Sequence, residues 1–169
     1  MRIAIVSDTH NNIKNFNKAI NWLNKEKIKL ILHCGDITSQ ETINEANRNF
    51  QGEIKFVRGN GDFELDNVPE EMEIELGGNP SKRLRARRIF FNHYPDVAKT
   101  AAESGKYDMV FYGHTHRPWL DRRSFSEGGE EKECLLVNPG EMAGQRFKPT
   151  FAIYNIQTDN LELKILEKL

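Results

Sequence analysis

Cysteine is nearly missing from this chain of 169 residues, which holds only Cys34 and Cys134. Two thiols so far apart make neither a CxxC pair nor a disulfide framework, so the fold has to rest on a packed core. A surplus of charge is missing too: 24 Lys and Arg stand against 25 Asp and Glu, a net charge of -1. Modules that grip nucleic acid by phosphate neutralisation are clearly basic, so this balance speaks against them, and no sequence-specific nucleic-acid binding is expected. No apolar run approaches the ~18 residues of a membrane span, so no membrane partner is expected. The opening run Ile3-Ala4-Ile5-Val6 stops short at Asp8, too soon for a secretory signal, and the expected location is the cytoplasm. Repeats, linkers and low-complexity blocks are also missing, which leaves one domain over 1–169 as the expectation. What is present is bulk for a core: 10 Phe, 4 Tyr and 2 Trp within a chain that is 38% hydrophobic.

The first third alternates strand and helix. Ile3–Val6 reads as a buried strand, and Ile13, Phe16, Ile20 and Leu23 repeat at helical spacing over roughly Ile13–Glu26. Leu30–Leu32 is a second strand. Thr38 with Glu41 forms a capping box opening a helix that carries Ile43, Ala46 and Phe50, and Ile54–Val57 is a third strand. Strand–helix alternation of this kind predicts a parallel α/β sheet. Further on, the patterning predicts strands at Met72–Leu76, Leu84–Asn92 and Met109–Tyr112, and a helix at about Asp96–Ser104. Gly77 to Ser81 reads as a turn or loop. The last third predicts strands at Trp119–Phe125, Cys134–Asn138, Thr150–Asn155 and Leu161–Leu166, with a hairpin tip at Ser126–Lys132 and a tight turn at Asp159-Asn160.

Asp8, His10, Asp36, Asn60, His93, His114 and His116 share one placement, each just after a predicted apolar strand. In open α/β sheets those strand ends gather along one rim, where ligands bind. Singly, each piece has an ordinary structural reading: a cap for Asp8-Thr9-His10, turn chemistry for Gly35-Asp36 and Gly59-Asn60. Gly113-His114-Thr115-His116 is stronger, because two imidazoles one residue apart rarely serve packing. Jointly they point to metal. Imidazoles suit Zn, Ni, Fe or Mn and carboxylates suit harder ions such as Mn. Seven donors exceed one tetrahedral site, which suggests two divalent cations, Mn first among the candidates, with one carboxylate between them.

In that order these motifs resemble the calcineurin-like metallophosphoesterases, and most closely their small single-domain phosphodiesterase branch, which includes a eukaryotic scaffold subunit. The resemblance runs from Met1 through Asn138-Pro139-Gly140. It implies a four-layer α/β-β/α sandwich of two mixed sheets with flanking helices. It assigns one metal to Asp8, His10, Asp36 and His116 and the other to Asp36, Asn60, His93 and His114, with Asp36 as the bridge. Asp36, Asn60 and His93 are then the catalytic set for in-line attack on phosphorus by a metal-bound hydroxide. The implied substrate is a phosphodiester or activated phosphomonoester, with a nucleotide-like ester among the candidates. Asn11, Arg117 and Arg146 are candidate substrate contacts. The other reading is a metal-binding interaction scaffold of the same fold with little or no catalysis.

Three positions depart from the family pattern. Gly61 follows Asn60 where the family commonly has His, Tyr94-Pro95 follows His93 where Gly-His is usual, and Glu141 replaces a serine after Asn-Pro-Gly. Glycine cannot protonate a leaving group, and general-acid help is typically worth ~10²–10⁴-fold. Asp62 is the nearest substitute acid. His33 and Cys34 are expected as packed core residues, and the basic run Lys82 to Arg88 as a solvated edge or a contact for an anionic partner.

Overall fold

The computed structural model describes residues 1–79, 84–127 and 130–169. The first sheet begins with the predicted alternation: β1 (Arg2–Val6), α1 (Ile13–Lys25), β2 (Leu30–Cys34), α2 (Gln40–Asn49) and β3 (Glu53–Val57). β1, β2 and β3 run parallel, and β9 (Thr150–Asn155) and β10 (Asn160–Ile165) close the other side antiparallel, in the order β10-β9-β1-β2-β3. The second sheet takes β4 (Glu71–Asn79), β5 (Leu84–Asn92), β6 (Met109–Phe111), β7 (Trp119–Glu127) and β8 (Glu130–Asn138), in the order β4-β5-β6-β8-β7. β5, β6 and β8 are parallel to one another, while β4 and β7 are antiparallel edges. α3 (Pro95–Glu103) joins β5 to β6. Both sheets are mixed, as the resemblance implied.

Side chains alternate across a strand, and that alternation builds the layers. In β1, Ala4 and Val6 pack with Phe16, Ile20 and Leu23 of α1, while Ile3 and Ile5 face Phe91 and Phe111 of the other sheet. On the far face of the second sheet, Phe90, Val110 and Leu136 pack against Ala98 and Ala102 of α3. Three apolar clusters therefore separate four layers. Each large side chain so buried contributes about 1.5–3 kcal/mol. Among the described residues, no helix is long and apolar enough to cross a membrane.

Some boundaries differ from expectation. Ser39, not Thr38, caps α2, its hydroxyl accepting from Thr42 N–H at 3.2 Å. Thr38 lies at φ 77, outside helical space, because its N–H is held by Asp62. Gly77 to Asn79 belong to β4 rather than a loop, with Gly77 opposite Ala86 and Asn79 opposite Leu84. Most of the expected hairpin tip is strand as well, since Phe125 pairs Lys132 and Glu127 pairs Glu130. Leu166 turns into a 3₁₀ segment, Leu166–Lys168. Pro80 and Ser81 of the expected turn, Lys82 and Arg83 of the basic run, and Gly128-Gly129 lie outside the described residues.

Candidate metal centre

The registers align the ends of the parallel strands. Val6 pairs His33, Cys34 pairs Val57, and Phe91 pairs Phe111, so the loops after β1, β2, β3, β5 and β6 rise from one rim. All seven sequence-predicted ligands are on these loops. Asp8, His10 and His116 bring donor atoms within 4.8 Å of one another, and so do Asp8, Asp36 and His93. His10 Nε2 stands 3.3 Å from His116 Nε2 and 3.6 Å from Asp36 Oδ2. His93 Nε2 is 3.4 Å from the same Asp36 oxygen, and His116 Nε2 is 3.3 Å from Asp8 Oδ1. His114 and Asn60 meet beside them, Nδ1 to Oδ1 at 2.8 Å, with the His114 ring 5.2 Å from that of His93.

The loops are bent tightly to do this. Asp8, His10, Asn11, Asp36, Thr38, His114 and His116 all have positive φ, seven of the nine such non-glycine residues described. Left-handed backbone of this kind costs about 1 kcal/mol or more per residue and persists only where neighbours enforce it. Here the loops enforce one another: Asp8 N–H donates to Gly35 O, His10 N–H to Asp36 O and Ala143 N–H to Asp8 O, at 2.9–3.0 Å. Closeness demands glycine in these loops. A side chain at Gly113 would collide with Ser7 Oγ, and one at Gly59 with Asp36 Oδ1 and the His93 ring.

Each buried imidazole is aimed from behind. His93 Nδ1 meets Cys34 O at 2.8 Å and His116 Nδ1 meets Glu141 Oε2 at 3.0 Å, so in both rings Nε2 is left for the rim. His93 Nε2 is buried and completes no hydrogen bond among the described residues. Burial, first of all, pushes the Asp8 carboxyl up to about 6 from 3.8. Burial also works to raise Asp36, but His93, the Gly61 N–H and His10 outweigh it and hold the carboxyl low. His93 is the mirror case: burial would lower it, and Asp36 and Asp8 raise it instead. Two buried carboxylates, three converging imidazole nitrogens, an amide oxygen and an unpartnered ring nitrogen form a donor set that fits divalent cations.

The remaining predicted positions differ in what they do. Asn11 Oδ1 accepts from the hydroxyls of Ser39 and Thr42 at 2.7 and 2.9 Å, so that oxygen serves the start of α2. Arg117 and Arg146 are exposed, and the Arg146 charge is among the influences that lower His114, after burial and His93. Asp62 is 2% exposed and takes N–H bonds from Asp36, Ile37, Thr38 and Gly59 at 2.6–2.9 Å; it is a clamp for two loops. Tyr94 lies against the site, its ring 5.3 Å from His93 and 5.8 Å from His114. His33 and Cys34 are fully buried, with His33 Nε2 2.8 Å from Thr9 Oγ1. In the sequence Glu141 stands out only as the residue in place of a serine after Asn-Pro-Gly. The signal for its role was a carboxylate followed by the apolar Met142-Ala143, a context in which burial demands partners.

Comparison with known proteins agrees with the geometry. The calcineurin-like phosphoesterase superfamily domain matches residues 1–159. A phosphodiesterase of Methanocaldococcus jannaschii is 33% identical over 177 positions, covering 99% of this chain and 100% of the relative. The solved structure of an archaeal phosphodiesterase superposes with a TM-score of 0.77 at 28% identity, covering 98% of this chain and 99% of that one. Vps29 of Entamoeba histolytica in complex with zinc superposes with a TM-score of 0.65 at 18% identity, over 98% and 99% of the two chains, a likeness of fold. The chain belongs to the calcineurin-like phosphoesterase superfamily, and by that membership it is a metal-dependent phosphoesterase.

Proposed function

We propose that this phosphoesterase hydrolyses phosphodiesters with two divalent cations, Asp8, His10, Asp36 and His116 holding one and Asp36, Asn60, His93 and His114 the other. The observation that carries this reading is the placement of one oxygen. Asp36 Oδ2 faces His10 at 3.6 Å and His93 at 3.4 Å, while Oδ1 is engaged by the Gly61 N–H at 2.7 Å. Asp36 would therefore offer Oδ2 to the cations, with Oδ1 held by the chain. Cations held there would supply positive charge for the phosphate and would lower the pKa of a water molecule. Mn is the first choice for this mixed carboxylate and imidazole set, with Ni, Zn and Fe as alternatives.

The chain's own residues do the rest. Asp8 and Asp36 are 0% and 2% exposed, so their charges act in a water-poor pocket where electrostatics are strong. Asn60 offers a neutral oxygen, which keeps the site from repelling an anionic substrate. Arg117 and Arg146 stand exposed beside the rim to meet a phosphate, and Asn11 keeps its amide N–H₂ for the same task. At Gly61 there is only hydrogen, so esters with good leaving groups are favoured. The relative's name as a phosphodiesterase supports diesters over monoesters. Two buried free thiols suit a reducing cytoplasm.

Hydrolysis of a bis-aryl phosphate diester with Mn²⁺, Ni²⁺ or Zn²⁺ tests the proposal. Wild type turns it over and Asp36→Ala does not; equal rates overturn the catalytic reading. No turnover on a broad phosphate panel, with a stoichiometric protein partner in a pull-down, establishes the scaffold reading instead.

A further inference from the structure

Two aromatic rings stand uncovered on the half of the rim that holds Asn60, His93 and His114. Tyr94 is 36% exposed, and Phe63, at 85%, is more exposed than any other large apolar side chain described. Single exposed apolar residues are ordinary. These two lie on different loops, one after β5 and one after β3, and each loop also carries a sequence-predicted ligand, His93 or Asn60.

Tyr94 is fixed by the residue that follows it. Proline disfavours helical backbone in its predecessor, and Pro95 opens α3, so Tyr94 stays extended at φ -91 and ψ 133. Its side chain makes no capping bond to the helix. The ring stands instead 5.3 Å from His93, at 82°, and 5.8 Å from His114, at 54°. His114 meets Asn60 at 2.8 Å, so Tyr94, His114 and Asn60 make one continuous wall. Burial first, then Asp36, Glu70 and Asp62, hold the Tyr94 phenol above its ordinary range against Arg58, so the ring is neutral near pH 7. Arg58, Asp62 and Glu70 all belong to the loop between β3 and β4, which places the ring beside the segment that carries Phe63. There Leu65 N–H donates to Asp62 O at 3.1 Å, closing a turn with Phe63-Glu64 at its tip, and buried Leu65 anchors it. Phe63 is three residues from Asn60, so their Cα atoms are at most about 11 Å apart.

We propose that Tyr94 and Phe63 receive a planar aromatic arm of the ester, so that the site selects diesters carrying an aryl ring or a nucleobase over those with alkyl arms alone. The inference rests on the phosphodiesterase reading above and names the substrate class for it. Phosphate held at the metal centre directs one arm over His114, where the neutral Tyr94 ring offers apolar surface. A flat ring laid on it covers that surface well, and stacking of this kind tolerates any base. An alkyl arm meets the same wall but covers less of it. The selection is distinct from leaving-group chemistry: Gly61 bears on how the bond breaks, Tyr94 on which arm is held.

Calorimetric titration of the whole chain with Mn²⁺ tests this, using phenylphosphonate and methylphosphonate, whose C–P bonds are not hydrolysed. Wild type is expected to bind the phenyl compound about fivefold tighter or more. Phe63→Ala and Tyr94→Leu each shrink that ratio and together bring it near one, while Tyr94→Phe keeps it. Methylphosphonate affinity reports whether the metal centre is intact in each variant, and the exposed Phe63 can be removed without disturbing the core. Adenosine 5′-monophosphate against ribose 5-phosphate distinguishes the two kinds of arm: a preference above the phenyl ratio identifies a nucleobase, one at or below it a simple aryl group. Equal binding of the two phosphonates by wild type, or a ratio that survives the double substitution, overturns the proposal. Hydrolysis of the bis-aryl diester by the same samples keeps the two readings apart. Turnover that Asp36→Ala abolishes, without a phenyl preference, strikes the aromatic wall only; absence of turnover strikes the phosphodiesterase reading.

Discussion

His116 Nδ1 lies 3.0 Å from Oε2 of Glu141, and that carboxylate is itself held by the N–H groups of Gln145, Arg146 and Phe147 at 2.5–3.0 Å. One buried side chain thus folds the loop before β9 and aims the imidazole whose Nε2 faces Asp8. The three N–H bonds outweigh the burial that would raise it, and Glu141 stays below the usual glutamate range. It is ionised where it meets His116, which favours the tautomer that leaves Nε2 as a lone pair.

Replacing Glu141 separates those two tasks. Glu141→Gln keeps an acceptor oxygen but loses the charge that orients His116. We expect a weakening of Mn²⁺ affinity by about 10–100-fold, the usual penalty for losing such a partner. Glu141→Ala in addition frees three part-buried loop N–H groups and leaves a cavity, a loss of about 1–3 kcal/mol in all. Calorimetric titration of the metal-free protein together with thermal melting distinguishes the two, since only the alanine variant drops sharply in melting temperature.

Asp62 supports the site without facing it. Its two oxygens take four backbone N–H groups from the loops that follow β2 and β3, including the N–H of Asp36 itself. Asp62→Ala leaves these donors without partners, and a loss of roughly 3 kcal/mol or more is expected. For a chain of this size that is a fall of about 6–12 °C in melting temperature. Asp62→Asn, which retains one acceptor oxygen in place, falls less. A full-strength fold in Asp62→Ala, read by melting, is incompatible with the clamp.

His33 makes stability depend on pH. Burial, reinforced by His93, holds its imidazole down at about 3 against an ordinary 6.5. The native side chain therefore stays neutral while the unfolded chain takes up a proton as pH falls below 6.5. Unfolding then binds protons, so the contribution is complete above about 6.5 and drains as pH falls toward 3. The slope for one such group approaches about 1.4 kcal/mol per pH unit. Urea unfolding at pH 7, 6, 5 and 4 should show wild type losing stability faster than His33→Gln, a variant that keeps a partner for Thr9. Parallel curves would show that His33 does not carry this dependence.

The rim was legible before the fold because each ligand follows an apolar run that can only be a buried strand: Ile3–Val6 before Asp8, Leu30–Leu32 before Asp36, Met109–Phe111 before His114. Asp62 stands beside Gly61 in the sequence and so reads as a substitute acid, much as Asp36 reads as a ligand. What separates them is four N–H groups that converge only when two loops meet, a fact about space and not about neighbours in the chain. Glu141 was opaque for the same reason. The β4 glycines are different: Gly77 and Gly78 do take left-handed φ, at 76 and 77, yet they lie within β4, where Gly77 pairs Ala86 and Asn79 pairs Leu84.

Gly61 leaves the position after Asn60 without a side chain. Its φ is not left-handed, and a Cβ there would sit 3.1 Å from Asp36 Oδ1 and from Thr38 Cγ2. That is tight, and a shift of a few tenths of an ångström admits a side chain. Gly61→His keeps the backbone N–H that donates to Asp36 and adds an imidazole beside Asn60. General-acid help of this kind is worth up to ~10²–10⁴-fold and matters only when the leaving group needs a proton. An aryl oxide leaves unaided; an alkoxide does not. We therefore expect Gly61→His to raise turnover of an alkyl phosphodiester by about tenfold or more, with little change on the bis-aryl ester. Steady-state rates on the two esters, with metal content matched, measure the ratio. An unchanged ratio in a folded, metal-loaded variant would mean that the missing side chain at this position does not set the leaving-group preference.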